Sequence, residues 1–545
     1  MCTASCDIAS RATGHLASAE GECAVAFDHL LPPDVTLRAQ SPLRETDPTL
    51  GVPRGKRITN PANVPPDGPA LSRLVTVGDS ITHGFKSGGV ADTQLAWPKL
   101  LADALGFPLR IPFFDAPTEC PGLPFNIEAM LKGLEAHHGG RLLPLHLLLV
   151  LPEFLHLVRI ADDYWDKGPG LQTPRQPDFN ENLGMYGWDL RDALSRTRGV
   201  LSQQLAERPP QPHLYRPGVA DDGQIAGLRV LAGPGGPEVT QLSAAQALGA
   251  QTSSEGKGVE TLVVVLGANN VLPSIVQLGP PRWTRDDYAD LDAKNTYTVW
   301  RPIHFAAEYA EVVDKVRQVR ARHVLLGTVP HVTIAPLARG VGTKPPGSRY
   351  WPYYTRPWIS DAQFDPGRHP HITGDDAWAL DSAVDDYNDT IKQAVRDARA
   401  DGLDWYLFDM CGLLDSLAFR RYLLDPGAQP AGFVPYQLPR SIRVLKPTPD
   451  SRFFISDNGI RQQGGLFGLD GVHPTTTGYA ILAQEVLSIL DLAGIPEAHG
   501  ASIDFAEVLR KDTLLTSPPL SLSVDLHVLA WLQELVDWAG QLFRR

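Results

Sequence analysis

Paired cysteines, a surplus of basic charge and an unbroken hydrophobic run are all missing from this chain of 545 residues. Each absence removes a class of protein. The five cysteines (Cys2, Cys6, Cys23, Cys120 and Cys411) are odd in number and lack the paired spacing of metal ligands. They predict neither a disulfide framework nor a zinc site. Lys and Arg total 49 against 62 for Asp and Glu, a formal charge of −13. That balance argues against nucleic acid or an anionic membrane as partner, because both require a basic face. The longest apolar stretch, Leu142 to Val158, is broken by Pro144, His146, Pro152, Glu153 and His156 and is too interrupted to span a bilayer. No basic segment followed by an apolar one opens the chain, so no secretory leader is expected and a cytoplasmic location is the default.

What remains is the composition of a soluble globular protein, 43% apolar and 20% charged. The length allows two or three domains, or one large domain carrying insertions. Gly (49) and Pro (48) are abundant enough to imply many long loops.

The organising stretch is Leu74-Val75-Thr76-Val77-Gly78-Asp79-Ser80-Ile81-Thr82-His83-Gly84. Its apolar run reads as a buried strand, and Gly78 lets the chain leave that strand sharply. Ser80 then falls where strand hands over to helix, the place where open α/β sheets set their active sites. Apolar positions at helical spacing predict a helix over Gln94 to Leu105. Thr261 to Leu266 repeats the design: a buried strand closed by Gly267-Ala268-Asn269-Asn270. A helix from about Ala306 to Arg320 leads to a strand, Val324 to Val329, and the helix Asp376 to Arg399 leads to another, Trp405 to Met410. Helix then strand, twice over, predicts a parallel sheet. Asn182 to Leu190 places Gly187 at the mouth of a further helical pattern. Gly468-Leu469-Asp470-Gly471-Val472-His473-Pro474 precedes a helix over Thr477 to Leu492.

Three regions lie outside this frame. Residues 1–70 form a Pro-rich N-terminal extension that wraps the surface or stays mobile. Residues near 110–180 and 340–375 read as irregular loop insertions within a domain spanning 71–495. Residues 496–545 form a C-terminal helical extension, whose stretch Ser523 to Arg545 is amphipathic. A helix docked on the body is the favoured reading of that stretch. Membrane-surface binding through 523–545 is disfavoured, because its polar face carries Asp525, Glu534 and Asp537 instead of rows of Lys and Arg.

Several of these strand ends bear chemistry. Ester hydrolysis by a serine needs a nucleophilic hydroxyl, a base, a group that orients the base, and donors aimed at the developing oxyanion. Ser80 can be the nucleophile and His473 the base, since a neutral imidazole suits proton transfer near neutral pH. Asp470, three residues before His473, can accept from its Nδ1–H and fix the tautomer. The backbone N–H groups of Ser80 and Gly187 and the side-chain amide of Asn269 can furnish oxyanion donors. Each piece alone is an ordinary turn or cap residue; the ordered set is what points to catalysis.

That set, Gly78-Asp79-Ser80, Gly187, Gly267-x-Asn269 and Asp470-x-x-His473-Pro474, resembles the four sequence blocks of the SGNH/GDSL hydrolases. The resemblance implies a flavodoxin-like three-layer α/β/α sandwich with a parallel sheet, enlarged here by long insertions. It implies a metal-independent carboxylesterase or lipase acting on a small-molecule ester or lipid, without cofactor. It also implies Ser80, Asp470 and His473 as the triad, with Ser80 N–H, Gly187 N–H and Asn269 as the oxyanion hole. The sequence departs from the family pattern in Ile81 for the usual Leu, in Asn270 where Asp is common, and in the bulky Tyr186 and Trp188 around Gly187. Gly184 is the rival to Gly187. Aromatics in or near the insertions (Phe113, Phe114, Trp283, Trp300, Tyr350 to Trp358) suggest an acyl or aryl group in the substrate. The alternatives are a carbohydrate O-deacetylase and, from another class, a non-catalytic binding protein on the same fold.

Other candidates are weaker. The prolines in Gly233-Pro234-Gly235-Gly236-Pro237 remove N–H donors that a phosphate cradle needs. His369-Pro370-His371, with Asp365 or Asp375, reads as a turn before it reads as a metal site. The sequon Asn388-Asp389-Thr390 falls inside a helical pattern.

Overall fold

The computed structural model describes residues 31–56, 68–114, 121–124, 126–140, 142, 152–153, 156–157, 159–161, 163–207, 222–520 and 522. The amphipathic stretch 523–545 and most of Leu142 to Val158 lie outside them, as do Cys2, Cys6, Cys23 and Cys120.

Five parallel strands form the centre: β1 (Ser72–Gly78), β2 (Asn182–Gly184), β3 (Val259–Val265), β4 (Ala321–Gly327) and β5 (Trp405–Phe408). Their spatial order is β5-β4-β3-β1-β2, a common doubly wound arrangement. All four pairings are parallel, with Gly78 opposite both Gly184 and Val265 and with Phe408 opposite Gly327. Such a sheet is covered on both faces, and its strands accordingly read as near-continuous apolar runs.

Alternation assigns the faces. Val75, Val77, Leu262, Val264, Val324 and Leu326 point to one core. There they meet α4 (Gln241–Ala250), α5 (Pro302–Arg317) and α6 (Gly374–Ala400) through Leu242, Phe305 and Leu380. Leu74, Val263, Val265, Leu325 and Phe408 point to the other core. That face is covered by α2 (Trp97–Leu105) and α7 (Thr476–Leu492) through Trp97, Leu101, Tyr479 and Val486. The protein is therefore α/β, with helices on both sides of one parallel sheet.

Several sequence expectations are corrected. The helix expected from Gln94 begins at Trp97, because Pro98 is best placed in a first turn, where its missing N–H has no partner to lose. Asn182 to Gly184, read only as a lead-in to Gly187, is edge strand β2. The helical pattern after Gly187 divides into α3 (Leu190–Ser195) and a second helix, Arg198–Ala206, each with its own N-cap (Asp189 and Thr197). Residues 110–180 are not wholly irregular: Asn126 caps a helix over Ile127–His137. The stretch 340–375 is not simply loop, since Arg339–Val341, Tyr353–Thr355 and Ile372–Thr373 pair as a small antiparallel sheet.

The described part of the N-terminal segment lies along the body. Pro48 accepts the Leu407 N–H of edge strand β5 (2.8 Å), which covers an otherwise open sheet edge. Arg38 pairs with Asp386 on α6 at 2.9 Å. Beyond residue 495, Phe505 and Val508 pack into the same core as α7. Asp512 accepts from the Thr477 N–H and hydroxyl at 2.8 and 2.7 Å.

Candidate active site

Because the sheet is parallel, the carboxyl ends of its strands share one edge, and Ser80, Gly187 and Asn269 follow three adjacent ends. Gly78 is required at its position: a Cβ there would sit 2.2 Å from Thr82 Oγ1 and 2.8 Å from the Val265 carbonyl oxygen. Asp79 caps the short helix α1 (Ser80–His83), its Oδ1 accepting the Ile81 N–H at 3.0 Å. Ser80 is thereby held as the first residue of that helix.

The structure brings Ser80, His473 and Asp470 together. His473 Nε2 stands 2.8 Å from Ser80 Oγ, and His473 Nδ1 lies 3.2 Å from Asp470 Oδ2. The loop carrying the histidine is laced to the segment after α1. Gly88 N–H donates to Asp470 Oδ2 (3.0 Å), and Leu469 N–H donates to Ser87 Oγ (3.1 Å). Asp470 Oδ1 takes the Val472 and His473 N–H groups at 2.9 and 2.8 Å. Burial would raise the Asp470 carboxyl, but the adjacent His473 and these N–H donors hold it below the ordinary carboxylate range. It stays ionised.

The expected oxyanion donors lie on the neighbouring strand ends. Gly187, at φ +74°, occupies the left-handed region that glycine enters most readily. Its N–H has no acceptor among the described residues, and neither does that of Ser80. The rival Gly184 has its N–H committed to Asn182 Oδ1 at 3.0 Å. Gly184 is instead a packing glycine, since a Cβ there would meet the His83 nitrogen at 2.4 Å. Asn269 donates one amide proton to the Trp188 carbonyl (2.8 Å), tying β3 to the Gly187 turn. Asn270, the departure from the family pattern, is used structurally: its Oδ1 accepts the Leu190 N–H at 3.4 Å and its carbonyl accepts the Trp300 N–H at 2.8 Å.

Sequence reading missed three contributors. Gln241, buried on α4, donates to the Gly78 carbonyl at 2.7 Å and to the Leu183 carbonyl, clamping the ends of β1 and β2. His83 is fully buried, and burial lowers it to about 3, so it stays neutral. Its Nδ1 accepts the Tyr186 N–H at 3.3 Å, which puts the ring proton on Nε2. The third is a run of aromatic rings. Phe85 lies 4.6 Å from His473 and 5.1 Å from Tyr186; Tyr186 stacks on His83 at 5.7 Å; His83 meets Phe114 at 5.0 Å, and Phe114 meets Trp165 at 6.4 Å. The run leads from the histidine into the insertion 110–180. Sequence reading names Phe114 but none of these contacts, because each joins segments distant in sequence. Not every expected aromatic belongs to it: Phe113 is exposed, and Trp300 is buried in the core against Tyr288.

Only 3% of Ser80 and 3% of His473 is exposed, so the pair sits in a tight, largely desolvated space. In that space Asp79 is fully buried, and burial raises its carboxyl to about 6.

Among the described residues one group offers metal-ligand atoms close together: His331, Cys411 and Asp415, within 4.8 Å of one another. Both ring nitrogens of His331 are engaged, by Asp415 at 2.9 Å and Asp385 at 3.1 Å. Burial opposes its charge, but the surrounding acids raise it well above the ordinary histidine value. A protonated imidazolium donates from both nitrogens and has no lone pair for a metal, so the cluster is an ion pair. His369 and His371 form a turn: His369 Nδ1 accepts the Asp365 N–H at 3.0 Å, and His371 Nδ1 reaches the His369 carbonyl at 2.9 Å. Asn388 is buried in α6, exchanging hydrogen bonds with Val329. No helix of the described residues is long and apolar enough to cross a membrane.

Comparison with family models, with curated proteins and with solved structures found no match to this chain.

Proposed function

We propose that this protein is a serine hydrolase built on a doubly wound α/β scaffold. Within that class the reading is an SGNH/GDSL-type carboxylesterase or lipase. The strand order, 2-1-3-4-5 from the β2 edge, is that of flavodoxin-like sandwiches, whose ligands bind at the switch between β1 and β3. Ser80 and Asn269 follow those two strands.

The observation that carries the proposal is the continuous chain Ser80 Oγ, His473 Nε2, His473 Nδ1, Asp470 Oδ2, at 2.8 and 3.2 Å. In this reading Ser80 Oγ attacks the ester carbonyl carbon while His473 Nε2 takes its proton. Asp470 keeps the second proton on Nδ1 and stabilises the imidazolium. The oxyanion of the tetrahedral intermediate is held by the uncommitted N–H groups of Ser80 and Gly187 and by the remaining Asn269 amide proton. Collapse expels the alcohol, which leaves with the proton from His473. Water then repeats the sequence on the acyl-enzyme.

The test is hydrolysis of p-nitrophenyl esters by wild type beside Ser80→Ala. The variant is expected to fold normally and to lose at least about 10³-fold in kcat. Equal rates for the two proteins would refute the proposal.

A further inference from the structure

A cavity of about 300 Å³ lies behind the catalytic-loop candidate. None of Ser80, Asp470 or His473 lines it. It adjoins their loop through the segment around Leu337, whose N–H donates to the Gly471 carbonyl at 2.9 Å. Its walls mix the aromatic rings of Trp351, Tyr354 and Phe453 with four guanidiniums, from Arg339, Arg420, Arg421 and Arg452. In a chain of net charge −13, four arginines around one small cavity need a physical account.

The carboxylates answer three of them. Arg421 pairs with buried Asp381 at 2.8 Å, Arg452 with Asp450 at 2.7 Å, and Arg339 with the mostly exposed Asp361 at 2.6 Å. Arg420 has no carboxylate within ion-pair distance among the described residues. It donates to the Gly340 carbonyl at 2.8 Å and lies 5.0 Å over the Trp351 ring. Burial and the neighbouring Arg339 lower it to about 10. Arg339 Nε is also buried without a hydrogen-bond partner. A part-buried cation without a paired carboxylate and a buried Nε–H without an acceptor are costly to keep, and both residues line the same cavity.

We infer that this cavity is a second binding site, for a small organic oxyanion whose charged head meets Arg420 and Arg339 and whose apolar part lies against Trp351 and Phe453. Guanidinium forks fit phosphate and carboxylate oxygens two at a time. The volume is at the small end of ligand pockets, which limits the apolar part to roughly one ring. The inference does not depend on the esterase reading.

Calorimetric titration of the full-length protein tests it, with phenyl phosphate, benzoate and neutral benzyl alcohol as probes. At least one oxyanion probe is expected to bind, with benzyl alcohol at least about tenfold weaker. The tighter of the two anions assigns the head group, phosphate monoester or carboxylate. Arg420→Gln should weaken that probe by at least about tenfold, the scale of one charge-assisted donor. Should that variant fail to fold, Arg420→Lys carries the test, with an expected weakening of about threefold or more from loss of the planar fork. Binding by Ser80→Ala should be unchanged, which separates this site from the ester centre. Failure of both anions to bind, or unchanged affinity in the folded Arg420 variant, overturns the inference.

Discussion

At Asn269 one amide proton is committed to the Trp188 carbonyl, and the proposed mechanism assigns the other to the oxyanion. Asn269→Ala is therefore expected to lower kcat by roughly 10²–10³, the scale of one oxyanion donor, with little change in KM. Steady-state kinetics check this, and an unchanged kcat would remove Asn269 from the mechanism. Asp79 makes a different prediction. Its folded value, raised by burial to about 6, exceeds that of an unfolded chain. The group therefore favours folding below the unfolded value and loses that contribution as pH rises through about 6. At pH 7 the charged, buried form costs about 3 kcal/mol. Asp79→Asn removes this term, so its stability relative to wild type should fall by a similar amount as pH drops from 7 to 4. Denaturant unfolding at the two pH values measures the difference, and a pH-independent offset would contradict it. Residues such as Ser80 and His473 are legible in sequence because each stands beside a strand end or helix start that the sequence itself signals. Gln241 and Gly88 are not, because their partners, Gly78 and Asp470, lie far along the chain.

Elements were legible where an apolar run or a helical period was clear. β1, β3, β4 and β5 announce themselves as apolar runs, and α6 and α7 as long periodic helices. β2 has only three residues and the small antiparallel sheet is made of strands of two or three, too short for any period to register. Helix α4 stayed hidden because Ala and Gly supply half of its ten residues and its apolar face is faint. Just beyond β4, His331 joins three elements, bonding Asp385 of α6 and Asp415 of the helix Met410–Ser416. Its raised value means the ion pairs contribute fully below the unfolded histidine value and are lost only as pH climbs through the higher folded one. His331→Ala leaves two buried carboxylates without their cation. It should cost about 3–5 kcal/mol, measured by unfolding at neutral pH; a loss under about 1 kcal/mol would mean the pairs add nothing.

At the scale of the whole molecule, the sheet sets the site's position, and on the proposed reading the insertions supply its walls. The first insertion reaches the site through Phe114 and Trp165. The second approaches from the Gly471 side, where Trp358 meets Phe453 at 6.0 Å. If these walls bind the acyl chain, each added methylene contributes up to about 0.8 kcal/mol. kcat/KM across a p-nitrophenyl ester series should then climb about fourfold per carbon until the space is filled. A strict preference for acetyl would instead favour the deacetylase alternative. The hydrogen bond between Ser80 and His473 spans 393 positions of sequence. On the proposed mechanism a ribosome must therefore translate past His473, and α7 must dock, before the nucleophile meets its base. Until then the growing polypeptide carries a serine no more reactive than any other, and onset of hydrolysis during synthesis becomes a clock for completion of the fold.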